Sequence, residues 1–403
     1  MGAVKRQMEL EFERGWSSRG DHVCAGCLND PALKKVISDS AQDDEECTFC
    51  GESPAVELDI LTEAFVGGLK TEYANADDEG VPWDSREGGY QVATTWDTWD
   101  LVYEHSDVFA NDAVLEAVRE AIGDQTWTEI DWQFLRYNEQ LTSSWKSFCE
   151  QIQHKTRYVF WLRGDAADQE EDHWGEIPAG RILDKIGQHI LDLDLVQELP
   201  AGTQLWRARE VQDSEVTTAR SWGAADLGTA PREFARTSNR MSPAGIPMFY
   251  GAFDQDTAVQ EVTRGELQRL VVGTFELSRR CAVVDFTRLP SIPSMFDPDR
   301  GHQRRTLLFL HQFVGQMAEP VREGYDQIDY VPTQVVAEFL LKVFNPDNPV
   351  QGLIYTSSLN QHPCAVFDLD SSCCVEQMAG WNARPETCLG LVPGSVRMVE
   401  ANG

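Results

Sequence analysis

Four cysteines near the start of the chain constrain it more than any other feature: Cys24-Ala-Gly-Cys27 and Cys47-Thr-Phe-Cys50, separated by nineteen residues. Each CxxC can fold into a knuckle that points two thiolates at one ion, and Gly51 after the second pair can take the positive φ that such a turn needs. Cys24, Cys27, Cys47 and Cys50 together complete a closed tetrahedral Zn2+ site. Such a site leaves no position for substrate water, so the metal is expected to be structural, and its loss to loosen the first ~60 residues. A redox CxxC pair or a chance spacing is the competing reading, but neither pair lies in a thioredoxin-like βαβ context. A zinc module that reads nucleic acid is opposed by the acidic segment SDSAQDDEE between the pairs, which would repel phosphate.

A length of 403 residues suggests two or three domains. The chain is strongly acidic, with 34 Lys+Arg against 66 Asp+Glu and a formal net charge of −32. Bulk attraction to nucleic acid or to an anionic membrane is therefore disfavoured. The excess is uneven: residues 1–195 hold 16 basic and 41 acidic residues, and residues 196–403 hold 18 and 25. Of those 18 only Lys342 is a lysine, which suits forked binding of phosphate, although a general bias toward Arg would look the same. The start, MGAVKRQMELEFERG, lacks the apolar core of an export signal, no stretch approaches ~18 uninterrupted apolar residues, and Arg6 stands where a myristoylation motif wants Ser or Thr. A cytoplasmic protein without structural disulfides is the expectation.

The first half reads as mainly α. Pro31 after a capping Asp30 opens a short helix in PALKKVISDS, residues 56–73 carry apolar residues at helical spacing, and Asn111 caps a helix whose Val114, Val118 and Ile122 share a face before Gly123 ends it. Two further helical stretches, SWKSFCEQIQHKTRYVFWL and AGRILDKIGQHILDLDLV, flank the acidic RGDAADQEEDHWGE, which is expected to be a surface loop. At ELPAGTQLWRARE the period changes to that of a strand with Leu205, Arg207 and Arg209 on one face. Strands are expected at GIPMFYGAF, RLVVGTFEL, CAVVDF, GLIYTSS and PCAVFDLD, and helices at DTAVQEVTRGEL, RRTLLFLHQFVGQMA and YVPTQVVAEFLLKVF. The fold class is α+β: a mainly α N-terminal half with a zinc knuckle, then a compact, largely antiparallel sheet closed around a pocket. The expected domains are a zinc-knuckle segment at 1–55, a helical domain at 56–195 and a third domain at 196–403.

Taken singly, Arg207, Arg240, Tyr250, Glu261 and Ser357 read as ordinary surface, core or helix-end residues. In combination, LWRARE, then NRMSPAGIPMFYGAFDQDTAVQEV, then GLIYTSSLNQHPCAVFDL resemble the RES domain, the NAD-degrading toxin family named for its Arg, Glu and Ser. The resemblance covers most of residues 198–370, and the block with an Arg, a Gly-Ile-Pro turn, a strand ending in Tyr and a helix bearing Glu eleven residues on is its most specific part. The segment from DHVCAGCLND through the CTFCG knuckle and onward is similar to the zinc-bearing, HEPN-related region in front of some longer RES proteins. Helical ribonucleases of the HEPN class carry an Arg and a His with four to six residues between them on one helix. Arg181 and His189 miss that spacing, so His154, His173 and His189 read as solvated or core residues, and the fit of Arg304 and Arg305 to His311 lies in the other half and reads as chance.

The resemblance implies a fold related to ADP-ribosyltransferases and cleavage of the nicotinamide–ribose bond of NAD+, a substrate here. Nicotinamide leaves as a neutral molecule, so the barrier is dominated by positive charge building on the ribose, and a nearby carboxylate is the main need. Glu261 is the first candidate for it. The resemblance gives Arg207 and Arg240 the pyrophosphate, Tyr250 a ring for nicotinamide and Ser357 a hydroxyl that positions an oxygen. No Gly-x-Ser-x-Gly elbow surrounds Ser357, so it is not an activated nucleophile. Arg209 and Ser358 are the neighbouring alternatives to Arg207 and Ser357, and Met241 stands where many members carry an aromatic residue. No GxGxxG, P-loop, HExxH or EF-hand loop is present, which removes support for a Rossmann oxidoreductase, a nucleoside triphosphatase and a zinc protease. The competing functions are a protein ADP-ribosyltransferase and a zinc–helical interaction module with an NAD-sensing domain. A toxin-like enzyme also implies restraint, by a separate antitoxin or inhibitory protein or by its own N-terminal half.

Overall fold

The computed structural model describes residues 6–401 except 7–10, 12, 42, 43, 164–176, 264–267, 320, 321, 323, 385 and 386. All of the expected surface loop at 163–176 except Arg163, with His173, therefore lies outside the described residues. The chain divides into two compact units that do not follow chain order. One holds the described residues up to 140 with 291–308, and the other those of 141–290 and 309–403.

In the first unit, His22–Val23 pairs with Val56–Glu57, which brings the two knuckles together around a buried core. Helix α1 (Pro31–Ser40) starts where expected, because the Asp30 carboxylate accepts from the Ala32 and Leu33 amides and Pro31 needs no partner for its nitrogen. Helix α2 (Leu58–Leu69) buries Leu58, Leu61, Phe65 and Leu69. A three-stranded antiparallel sheet, β1 (Tyr73–Asn75), β2 (Thr95–Asp97) and β3 (Thr126–Glu129), has β3 in its centre. Helical periodicity gives no sign of this sheet; its strands are three or four residues long, too short for alternation to show. Between β2 and β3 run α3 (Thr98–Glu104) and α4 (Asp112–Ile122), the latter capped by Asn111 and ended by Gly123 at φ 73°. Residues 291–308 complete this unit: Phe296 stacks on Phe65 with centroids 4.7 Å apart, and Arg305 pairs with Glu72 and donates to Asn138.

The second unit starts within helix α5 (Tyr137–Glu150), which runs into a π-helical turn at Gln151–Lys155 rather than continuing to residue 162. Helix α6 (Ile182–Asp192) buries Ile182, Ile186 and Ile190. The sheet contains β4 (Val196–Leu199), β5 (Gln204–Glu210), β6 (Phe249–Ala252), β7 (Gln268–Leu277), β8 (Cys281–Asp285), β9 (Gly352–Thr356), β10 (Pro363–Phe367), β11 (Cys374–Glu376), β12 (Leu389–Leu391) and β13 (Arg397–Ala401). Their order is β11-β12-β7-β5-β6-β10-β9-β8-β4, with β13 also on β7. The β8–β9 and β11–β12 pairs are parallel and the rest antiparallel. Between strands lie α7 (Gln255–Val262), α8 (Arg304–Ala318) and α9 (Val331–Lys342).

Strand alternation gives the sheet two faces. On one, Leu205, Phe249, Phe275, Ile354 and Phe367 share a core. On the other, Trp206, Ala208, Ala252, Tyr355 and Cys364 pack against Ala258, Val259 and Val262 of α7. Only Ala252 and Trp206 are paired between β6 and β5, so these two strands meet at one point.

Candidate functional site

Glu261 sits in the last turn of α7, and its position depends on the start of that helix. Asp254 caps it, accepting from the Thr257 amide at 2.8 Å and the Thr257 hydroxyl at 2.7 Å. Burial would raise the Asp254 carboxyl, but the two Thr257 bonds and the neighbouring His362 outweigh it and hold it below its ordinary range. The helix ends at Val262, short of the expected 267.

Ser357 follows directly on β9 and is buried, at 1 % exposure, whereas Glu261 is exposed. The Ser357 hydroxyl donates to Glu261 Oε1 at 2.5 Å, and the Cys364 thiol lies 3.9 Å from the same oxygen. An accessible carboxylate is thus anchored from below by a buried hydroxyl. Tyr355 is paired in register with Cys364 on this face. Burial holds its phenol well above the ordinary tyrosine value, and the neighbouring Cys364 and Glu261 push in the same direction, so Tyr355 remains a protonated donor. Tyr355 and Cys364 were not among the sequence candidates, but the signal was present: two residues before Ser357 along β9, Tyr355 must share its face.

The other candidates are placed differently. Tyr250 is half-buried; its hydroxyl lies 3.0 Å from that of Ser242 and accepts from the Met241 amide at 3.3 Å, which ties the ring to the turn before β6. Met241, at the position of an expected aromatic, is buried. Arg240 donates from Nη1 to the carbonyls of Met317 and Glu319 at 2.8 and 2.7 Å, closing the end of α8, and its own carbonyl accepts from Thr333. Arg207 projects to the opposite side of β5 from Trp206 and Ala208. Its guanidinium lies over Phe249 and donates to the Tyr250 carbonyl at 2.6 Å, while its buried Nε has no hydrogen-bond partner. Arg209, on that same face, is engaged with Glu215, the Asp226 carbonyl and the Trp222 ring. Ser358 is exposed, and the hydroxyl on Glu261 belongs to Ser357. Of the histidines, His154 is exposed and His189 buried.

In the first unit, the Sγ atoms of Cys24, Cys27, Cys47 and Cys50 lie within 4.8 Å of one another. The separations are 3.4 Å for Cys24–Cys50 and 3.8 Å for Cys24–Cys27 and Cys27–Cys47. A tetrahedral ion with Zn–S bonds of about 2.3 Å needs sulfurs about 3.8 Å apart. The donor set fits that ion. Burial raises the Cys24 and Cys27 thiols, whereas at Cys47 the backbone bonds of Phe49 and Cys50 outweigh the same burial and bring it down to about 7. Gly51 has φ 77°, and Asn111 donates to Cys27 Sγ at 3.7 Å.

The family model for HEPN/RES N-terminal domain 1 matches residues 40–166 and that for the RES domain matches residues 189–384. The chain thus carries a HEPN/RES N-terminal domain 1 followed by a RES domain. No curated protein and no solved structure matches it. Among the described residues no helix is long and apolar enough to cross a membrane.

Proposed function

We propose that this protein degrades NAD+ by breaking the bond between nicotinamide and ribose, with water or inorganic phosphate taking up the ADP-ribosyl group. The observation that carries the reading is the exposed Glu261 carboxylate held by the buried Ser357 hydroxyl. In this reaction the C–N bond pair leaves with nicotinamide, which needs no proton, and the ribose carbon becomes cationic before the acceptor oxygen adds and sheds its proton. A fixed carboxylate beside that carbon stabilises the cationic state more than the ground state, which accelerates the step. Ser357 and Cys364 both approach Oε1, so Oε2 is the oxygen assigned to a ribose hydroxyl or to the developing cation. Tyr355, protonated and on the same face, would donate to the sugar or the carboxamide.

Arg207, half-buried on the face of β5 opposite to Glu261, would support the site through its bond to the Tyr250 carbonyl rather than by reaching the pyrophosphate. Arg240 would act on the substrate from the turn that Tyr250 holds. Four cysteines in the first unit would hold a structural Zn2+. A separate antitoxin, or the first part of the chain, would restrain the activity.

Nicotinamide release from NAD+ by the full-length protein, with and without phosphate, tests the proposal. Release is expected, and Glu261→Gln should lower it by at least about a hundredfold, the scale at which a transition-state electrostatic contact is lost. Dependence on phosphate identifies phosphorolysis. ADP-ribose attached to protein would establish a transferase, and saturable NAD+ binding without release would establish a sensor.

A further inference from the structure

We propose that Asp254, Thr257, Asn360 and His362 form a latch that holds the β9–β10 loop on the first turn of α7 and thereby keeps Ser357 on Glu261. These are positioning residues, and their effect on turnover rests on the NAD+ reading above. Asp254 does more than cap the helix. Its Oδ2 accepts from the Thr257 hydroxyl and lies 3.1 Å from His362 Nδ1. The same Thr257 hydroxyl accepts from Asn360 Nδ2 at 2.8 Å, and Asn360 Oδ1 accepts from the His362 amide at 3.1 Å. Thr257 is fully buried, so its hydroxyl is the enclosed centre of the set, and His362 is its exposed rim.

The loop closes on itself around Ser357. The Ser357 amide donates to the His362 carbonyl at 2.8 Å, the Gln361 amide to the Ser357 carbonyl at 3.0 Å and the Leu359 amide to the Ser357 hydroxyl at 3.2 Å. Gln361 takes φ 63° within this turn. One end of α7 thus holds the loop through side chains, and Glu261, about one turn after Thr257, receives the Ser357 hydroxyl at the other end. Without the latch, a six-residue turn would have to hold a buried hydroxyl on an exposed carboxylate by its backbone alone. A small displacement there degrades an oriented site far more than it weakens binding.

Thr257→Val keeps the shape of the buried side chain and removes the central hydroxyl; Thr257→Ser retains it. In Thr257→Val, amide exchange at Leu359 and Gln361 is expected to rise about tenfold or more, kcat for nicotinamide release to fall about tenfold, and KM to change less than twofold, with Thr257→Ser restoring all three. Asn360→Ala, on the outer side of the latch, should reproduce the pattern if Thr257→Val does not fold. Unchanged loop exchange in the folded variants, or faster exchange with unchanged kcat, would overturn the latch. Absence of nicotinamide release from the wild type would instead remove the NAD+ reading, and loop exchange would then decide by itself whether the four residues hold Ser357 in place.

Discussion

At the scale of single residues, polar groups left without partners mark where the chain departs from ordinary packing. Arg207 Nε is one. His105 Nε2 is another: it is buried between the rings of Tyr73 and Phe296, with centroids at 6.1 and 5.9 Å. Burial lowers the His105 pKa below 6.5; Glu104 and Asp107 oppose the shift, and Arg136 and Arg304 reinforce it. The unfolded chain therefore binds this proton more readily than the folded one. Stability from His105 is fully present above pH 6.5 and declines as pH falls below it toward the depressed folded value. Thermal melts between pH 7.5 and 5 should show this loss, and His105→Leu should reduce the slope; an unchanged slope in the variant would refute the assignment. Glu261 is named from the sequence only through the resemblance, which places a helix-borne Glu eleven residues after Tyr250. Tyr355 is legible once Ser357 is named, as its same-face neighbour two residues earlier, but Cys364 is not, because its place depends on pairing across β9 and β10.

At the scale of elements, the ends of helices were readable and their lengths less so. Asp30 and Asn111 cap α1 and α4 as their sequences indicate, since a side-chain acceptor at an N-cap acts within three residues. The termination of α7 at Val262 and the π-helical turn after α5 depend on what those segments pack against, which periodicity does not report. The CxxC pairs form the most self-sufficient element, because four thiolates would specify the geometry around one ion with little help from the rest of the chain. One zinc per chain is expected by elemental analysis. Chelation should speed amide exchange through residues 22–58 and lower the melting temperature of the first unit, and Cys27→Ser should do the same without added chelator. A protein that purifies with no zinc and melts identically with chelator would exclude a structural role for the ion.

At the scale of the whole molecule, chain order and packing order differ. Helix α6 precedes the RES strands in sequence but packs in their unit: Gly187 lies against Phe344 and Phe339, where a Cβ would come within 3.0 Å of Phe344. Trp145 of α5 meets Phe313 edge-on and donates to Gln316. A fragment of residues 196–403 therefore loses the burial provided by Ile182, Ile186 and Ile190, each worth about 1.5–3 kcal/mol, against a total stability of about 5–15 kcal/mol. That fragment is expected to bind a hydrophobic dye and to lack near-ultraviolet circular dichroism. A folded, cooperatively melting fragment would contradict this. Restraint by the N-terminal part is consequently better tested by substitution in the full chain than by truncation at 196.

Local spacing by itself determined the four-cysteine cluster and the capped helix starts, whereas the Arg, Tyr, Glu and Ser set rests on the family resemblance. Tertiary structure alone decided that Ser357 and not Ser358 meets Glu261, that Arg207 and Glu261 leave the sheet on opposite faces, that Arg240 closes α8, and that residues 291–308 belong with the knuckle unit. The reason is common to all four. Strand register, sheet order and side-chain partners are set by segments tens to hundreds of residues apart, and periodicity along one segment carries no information about the segment it meets.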